Sequence, residues 1–249
     1  MRKLRILVPL LLLTLPSALC AQVGADSCVS PNSDSCVSPN TDSCSQSSIL
    51  NSQFDYRVLK TLQDSRTPSS NTFWVTVSNT FVLSPAVPVS LGVGSWVASD
   101  SQTKQALFAN ASEAGAALLL NAGLTMGLKY LVGRPRPWVA YEGDLVCLQK
   151  VGSPSFPSGH TSFAFTAATS ISLLYPRWYV IAPACLWASA VGFSRLYVGA
   201  HFPTDVLAGA LIGTCSALLV HWLHNRYTWQ NTPFAPPSDA VVLPLVLTF

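Results

Sequence analysis

At 249 residues the chain is long enough for one domain with a real core, yet only 10% of it is charged against 49% hydrophobic. An ordinary soluble domain carries about 25% charged residues, so this composition fits a membrane-embedded protein or an unusually apolar helical domain. The formal net charge of +3 is too small and too scattered for a nucleic-acid surface.

The N-terminus reads as an export signal over residues 1–21. Arg2, Lys3 and Arg5 form its basic region, and Ile6 to Leu15 its apolar stretch. Ser17-Ala18-Leu19-Cys20-Ala21 is the small-residue cleavage region; Leu19 is bulky where a lipidated Cys20 would want a small neighbour, so ordinary cleavage is expected. Residues 22–50 carry an octapeptide repeat that puts Cys28, Cys36 and Cys44 in register. Its polar, Pro- and Ser-containing composition cannot bury a core. A tether is expected, with cysteine pairing (Cys147 among the partners) as the sharper alternative in an oxidising compartment.

A domain over residues 51–228 follows, with five apolar stretches. They run roughly 73–98, interrupted by Pro85 and Pro88, then 105–132, 158–175, 178–193 and 203–223. Ala, Leu and small residues dominate and no long period-2 alternation appears, so the fold class is all-α, a bundle of about five core helices. Ala208, Gly209, Ala210, Gly213, Ser216 and Ala217 would let the last helix pack closely on a neighbour. Membrane embedding is the preferred reading. Asn110, Glu113 and Asn121 in the second stretch are expensive in lipid and support the alternative, a soluble helical domain. The tail, residues 229–249, is Pro-rich and then apolar, which fits a docking segment.

Three strings hold most of the cations and imidazoles of this greasy region: Lys129 to Pro137, Pro157-Ser158-Gly159-His160, and Ser194 to Asp205. Short connections force the helices to alternate in direction. The end of the second helix, the start of the third, the end of the fourth and the start of the fifth then share one face. Phosphate chemistry follows from the residue types. Arg136 and Arg195 can grip phosphate oxygens with planar forks, and Lys129 adds a point charge. Ser158 and Gly159 open a helix whose free N–H groups favour an anion. His160 and His201 suit a general acid and a nucleophile, and Asp205 can orient one imidazole. Arg134 is ambiguous and can be read as merely flanking. His221 and His224 sit at the far end of the last helix and read as interfacial or capping residues.

The pattern Lys-x6-Arg-Pro, Pro-Ser-Gly-His, Ser-Arg-x5-His-x3-Asp resembles that of the type 2 phosphatidic acid phosphatase (PAP2) superfamily, which includes vanadium haloperoxidases and class A acid phosphatases. Each of its positions is matched here, from Lys129, Arg136 and Pro137 to Ser194, Arg195, His201 and Asp205. The resemblance covers roughly residues 70–225. It implies that His201 forms a phosphohistidine, oriented by Asp205, and that His160 protonates the leaving alkoxide. It further implies that Lys129, Arg136, Ser158, Gly159 and Arg195 bind the phosphoryl group, with no metal or other cofactor. The expected activity is hydrolysis of phosphomonoester or pyrophosphate bonds, of lipid phosphates above all, at the extracytoplasmic side of a bacterial-type envelope. The alternatives are a soluble periplasmic acid phosphatase, a vanadium haloperoxidase, or a non-enzymatic membrane protein that uses the cysteine repeat. The common six-span pattern of the family lacks its first span here, or has it replaced by the signal segment.

Overall fold

Why the chain breaks where it does is clear from its punctuation. The computed structural model describes residues 53–231, with side chains to residue 226. The described elements are α1 (Gln53–Asp64), α2 (Pro68–Asn79), a 3-10 turn (Thr80–Leu83), α3 (Ala86–Val97), α4 (Ser101–Val132), the single turn α5 (Pro137–Ala140), α6 (Gly159–Leu174), α7 (Trp178–Tyr197) and α8 (Pro203–Asn231). Pro85 splits the first apolar stretch into α2 and α3, which meet at a bend of 43°. Asp100 caps α4 by accepting from the Thr103 N–H at 2.7 Å. The all-α expectation holds throughout the described residues. The export signal, the cysteine repeat and nearly all of the tail lie outside them.

α6 is the centre of the bundle, touched by α4, α7 and α8. It runs antiparallel to α4 and parallel to α8, as residue pairs along each contact show. Thr125 meets Ser162 and Lys129 approaches Gly159 on the first contact; Gly209 sits on Ser158 and Gly213 on Ser162 on the second. The second contact depends on missing side chains. A Cβ at Gly209 would lie 2.6 Å from the Ser158 carbonyl oxygen, and one at Gly213 would lie 2.2 Å from that of Ser162. No real side chain tolerates such distances, so these two positions set how closely α8 approaches α6.

Glu113, Asn121 and Thr125 of α4 face protein rather than lipid. Asn121 is fully buried and donates to Ser162 Oγ at 3.3 Å, while Thr125 lies 3.1 Å from the same hydroxyl. Glu113 is buried and pairs with His221 Nδ1 on α8 at 2.7 Å, with His224 Nε2 at 3.9 Å. His221 is thus an interhelical partner of a buried carboxylate and not a helix cap. Intramembrane polar groups are tolerated in such pairs, which answers the sequence argument for a soluble domain at Glu113 and Asn121, while Asn110 is half-buried. Outward faces are apolar: Leu119, Leu131, Leu186, Leu207, Leu211 and Trp222 are all more than half exposed. Segments Ser101–Ala140, Trp178–Tyr197 and Pro203–Arg226 are long and apolar enough to cross a membrane, and the bent α2–α3 pair would make a fourth span.

α1 was not among the expected helices. Its buried residues are Leu59, which packs with Leu145 and Phe202, and Asp55. Lys60 and Tyr56 both bind the Asp144 carboxylate, Lys60 at 2.8 Å, and Gln63 accepts from the Val146 N–H at 2.6 Å. α1 is therefore stapled to the segment that follows α5.

Candidate active site

Antiparallel alternation brings the three strings to one end of the bundle. Lys129 near the end of α4 is buried and donates to the Pro154 carbonyl at 2.7 Å. Arg136 is buried beneath the next loop. Its Nε donates to Ser153 O at 2.7 Å, and its Nη1 donates to Ala200 O at 2.9 Å and lies 3.4 Å from His201 Nε2. Arg195, in the last turn of α7, is 1% exposed. Its Nη1 reaches Ser78 Oγ on α2 and Gln149 Oε1, the latter at 3.0 Å. Its Nε and Nη2 are buried without a hydrogen-bond partner.

Gly199 makes the turn that presents His201. Its φ of +74° is left-handed, and a Cβ there would lie 2.8 Å from the Val146 carbonyl oxygen. Arg66 fastens the same turn by donating to Tyr197 O at 2.9 Å and Val146 O at 2.7 Å. His201 is 1% exposed. Its Nε2 faces Arg136, and its Nδ1 lies 3.7 Å from Asp205 Oδ2, an ion-pair distance longer than a hydrogen bond. The reason is visible at the carboxylate. Oδ2 already accepts from Ser155 Oγ and the Phe202 N–H, and Oδ1 accepts from Arg134 Nη1 at 2.6 Å. Burial first, and then the Arg136 and Arg195 charges, push the His201 imidazolium down to about 3, with Asp205 pulling the other way. Near neutral pH the His201 ring is thereby uncharged, with a nitrogen lone pair available. In the isolated protein, the ring nitrogens of His201 followed by NMR should become half-protonated near pH 3; a midpoint at the ordinary imidazole value of about 6.5 would contradict the burial argument.

Ser158 is fully buried; its N–H donates to Asp205 O at 3.0 Å and its hydroxyl pairs with Thr161 Oγ1 at 2.9 Å. Gly159 begins α6, with Thr125 and Lys129 about 4 Å from where its Cβ would be. His160 follows, its ring 3.7 Å from that of Phe81 in the 3-10 turn. The charges of Arg195, Arg136 and Lys129 all bear on it.

All eight expected residues therefore converge, and the sequence reading missed their supports. Phe81, Ser78, Gln149 and Ser155 carry no motif signal of their own. Arg134 does more than flank: it is 4% exposed and pairs with both Asp205 and Asp55. The balance of charge is positive. Asp205 is matched by Arg134, which leaves Lys129, Arg136 and Arg195 close together in a desolvated site. An anion with several oxygens is the chemical complement of such a group, above all for the two unpartnered guanidinium nitrogens. Cys147 is buried, its thiol 3.1 Å from Gln149 O; the repeat cysteines lie outside the described residues.

Comparison with known proteins gives the same direction. The PAP2 superfamily profile matches residues 110–229. Undecaprenyl-diphosphatase of Sulfolobus acidocaldarius is 35% identical over 91 residues, 36% of this chain and 44% of the relative. Phosphatidylglycerophosphatase B of Escherichia coli K12 is 37% identical over 94 residues, 36% of each chain. Among solved structures, Aquifex aeolicus LpxE matches with a TM-score of 0.58 and 26% identity over 68% of this chain and 95% of that one. A transmembrane PAP2-type phosphatidylglycerolphosphate phosphatase from Bacillus subtilis gives 0.56 and 25% over 73% and 87%. The matched segment spans less than half the length of the two curated relatives.

Proposed function

We propose that this chain, whose residues 110–229 match the PAP2 superfamily profile, is a membrane phosphatase that hydrolyses lipid phosphomonoesters or diphosphates through a phosphohistidine. The observation that carries this reading is the buried Arg195 guanidinium with two unpartnered nitrogens, in one site with two histidines. Nε2 of His201 attacks phosphorus, since Nδ1 faces Asp205. Arg136, 3.4 Å from Nε2, draws the phosphoryl oxygens to that nitrogen. Arg195 and Lys129 take up the charge that builds on the equatorial oxygens in the transition state. The N–P bond forms as the O–P bond breaks, and His160 gives its proton to the departing alkoxide; burial and the neighbouring cations disfavour that proton, and the negative charge of the bound phosphoryl group offsets them and holds it on the ring. His160 then takes a proton from water, which attacks phosphorus, breaks the N–P bond and releases inorganic phosphate. The side chains carry the chemistry without a metal.

A lipid substrate is supported by the exposed apolar helix faces and by the names of the relatives, which are phosphatases of lipid-linked substrates. We further propose that the site opens on the extracytoplasmic side, following the export signal read in the sequence. The test is phosphate release by the purified protein in detergent from phosphatidate, phosphatidylglycerol phosphate and an isoprenyl diphosphate. Release from at least one is expected, and release from none overturns the reading. Carbonate extraction should leave the protein in the membrane; release into the soluble fraction would favour the soluble acid phosphatase instead.

A further inference from the structure

We propose that Asp55 and Arg134 are positioning residues of the phosphoryl-transfer site, a relay through which α1 fixes the direction of the Asp205 carboxylate towards His201. This rests on the phosphatase reading given above. Asp55 precedes the matched family region by more than fifty positions, yet it is fully buried against that region's charged centre.

The contacts form a short chain. Arg134 Nη2 donates to Asp55 Oδ2 at 3.0 Å, and Nη1 donates to Asp205 Oδ1 at 2.6 Å. Thr204 stitches the pair together: its hydroxyl accepts from Arg134 Nη1 at 2.7 Å and donates to Asp55 Oδ2 at 2.7 Å. The guanidinium lies on the ring of Phe202, 4.0 Å from its centre, and Phe202 directly follows His201.

Geometry makes this relay bear on catalysis. A carboxylate is a rigid plane, so holding Oδ1 fixes where Oδ2 points. Arg134 holds Oδ1, and Oδ2 is the atom that faces His201 Nδ1. Arg134 is in turn held at its other nitrogen by Asp55. One cation stands between two buried carboxylates, so losing the Asp55 charge removes the pull on Nη2 and lets the guanidinium tilt towards Asp205. α1 cannot easily drift from this position, because Leu59 is buried beside Phe202 and Lys60 is paired with Asp144.

The experiment compares Asp55→Asn, Thr204→Val, Arg134→Lys and the Asp55→Asn/Arg134→Lys double variant in the full chain. Turnover is measured on the best lipid phosphate, together with the NMR resonance of His201 Nδ1. Asp55→Asn should lower kcat by about 10- to 100-fold with KM within about threefold, the size of effect expected when reacting groups are misplaced by about 1 Å. Thr204→Val, which keeps the shape and removes only the hydroxyl, should lower kcat by about 3- to 10-fold and covers the case in which Asp55→Asn does not fold. The double variant should be no slower than Arg134→Lys alone, because both changes cut one chain of contacts. Wild-type kcat in both Asp55→Asn and Thr204→Val, or losses that multiply in the double variant, would overturn the proposal. If the wild-type protein releases no phosphate from any substrate, it is the phosphatase reading that fails. The His201 Nδ1 resonance still decides the relay in that case: it moves in Asp55→Asn (in Thr204→Val if Asp55→Asn does not fold) if the contacts act as described, and its staying in place refutes them.

Discussion

Replacing His201 with alanine should lower kcat on a lipid phosphate by about 10,000-fold or more, with KM changed by less than about tenfold. In the proposed mechanism the two effects separate because different groups carry them. Lys129, Arg136 and Arg195 remain in the variant and still bind the anion, whereas the atom that bonds to phosphorus is gone. Water could enter the space of the lost ring, but nothing there would orient it, and the leaving alkoxide would depart without the low barrier of the two-step route. His201 is 1% exposed, so alanine also leaves a cavity. Melting temperature must therefore be measured beside turnover, and His201→Gln, which fills more of the space without an imidazole, should be as inactive as alanine. Retention of activity within about tenfold of wild type in a folded His201→Ala protein would remove this residue from the chemistry.

Gly213→Ala should destabilise the protein by about 3 kcal/mol or more, because the added carbon meets backbone rather than a side chain that can turn away. The distance of 2.2 Å to the Ser162 carbonyl oxygen means that α8 must retreat from α6 or bend. Either movement also breaks the bond from Thr166 Oγ1 to Gly213 O, now 3.2 Å. The movement spreads to the site, since Asp205 opens α8 and Ser158 precedes α6. Helix propensity alone predicts the opposite sign, as alanine is favoured over glycine by about 1 kcal/mol. Gly127→Ala on α4 separates the two effects, for nothing lies within 4 Å of its added carbon. Thermal unfolding in detergent should show Gly213→Ala melting about 6–12 °C lower and Gly127→Ala unchanged or slightly higher. Equal melting temperatures for the two variants would show that α8 can move away from α6 at little cost and would contradict the close-contact argument.

The parts of the site that were legible in the sequence are those whose spacing and residue type are both unusual. Ser194-Arg195 and His201 with Asp205 four positions on belong to that class, and so does Pro157-Ser158-Gly159-His160. The alternation of helices was legible too, because the apolar stretches are long and all but one of the links between them are short; the exception is residues 133–158. Gly209 and Gly213 could be marked as contact residues, since a bare backbone on an apolar helix has few other uses.

What the sequence hid is the second layer of contacts. Asp55, Ser78 and Phe81 are ordinary residues in ordinary surroundings, and each acquires meaning only from a partner more than seventy positions away. Glu113 and Asn121 misdirected the membrane argument for the same reason. Polarity along one helix does not reveal that His221 and Ser162 wait on its neighbours. α1 was missed because its helix buries little apolar surface, with Leu59 its one fully covered apolar side chain.

If His201 carries the phosphoryl group between substrate and water, the protein passes through a covalent phosphohistidine. Rapid quenching of the wild-type protein during turnover of a phosphate-labelled lipid, followed by peptide mapping, tests it most directly. Label is expected on the peptide containing His201, acid-labile as a phosphohistidine is, and absent from His201→Ala. Steady phosphate release with label on no residue, or on a residue other than His201, would contradict it.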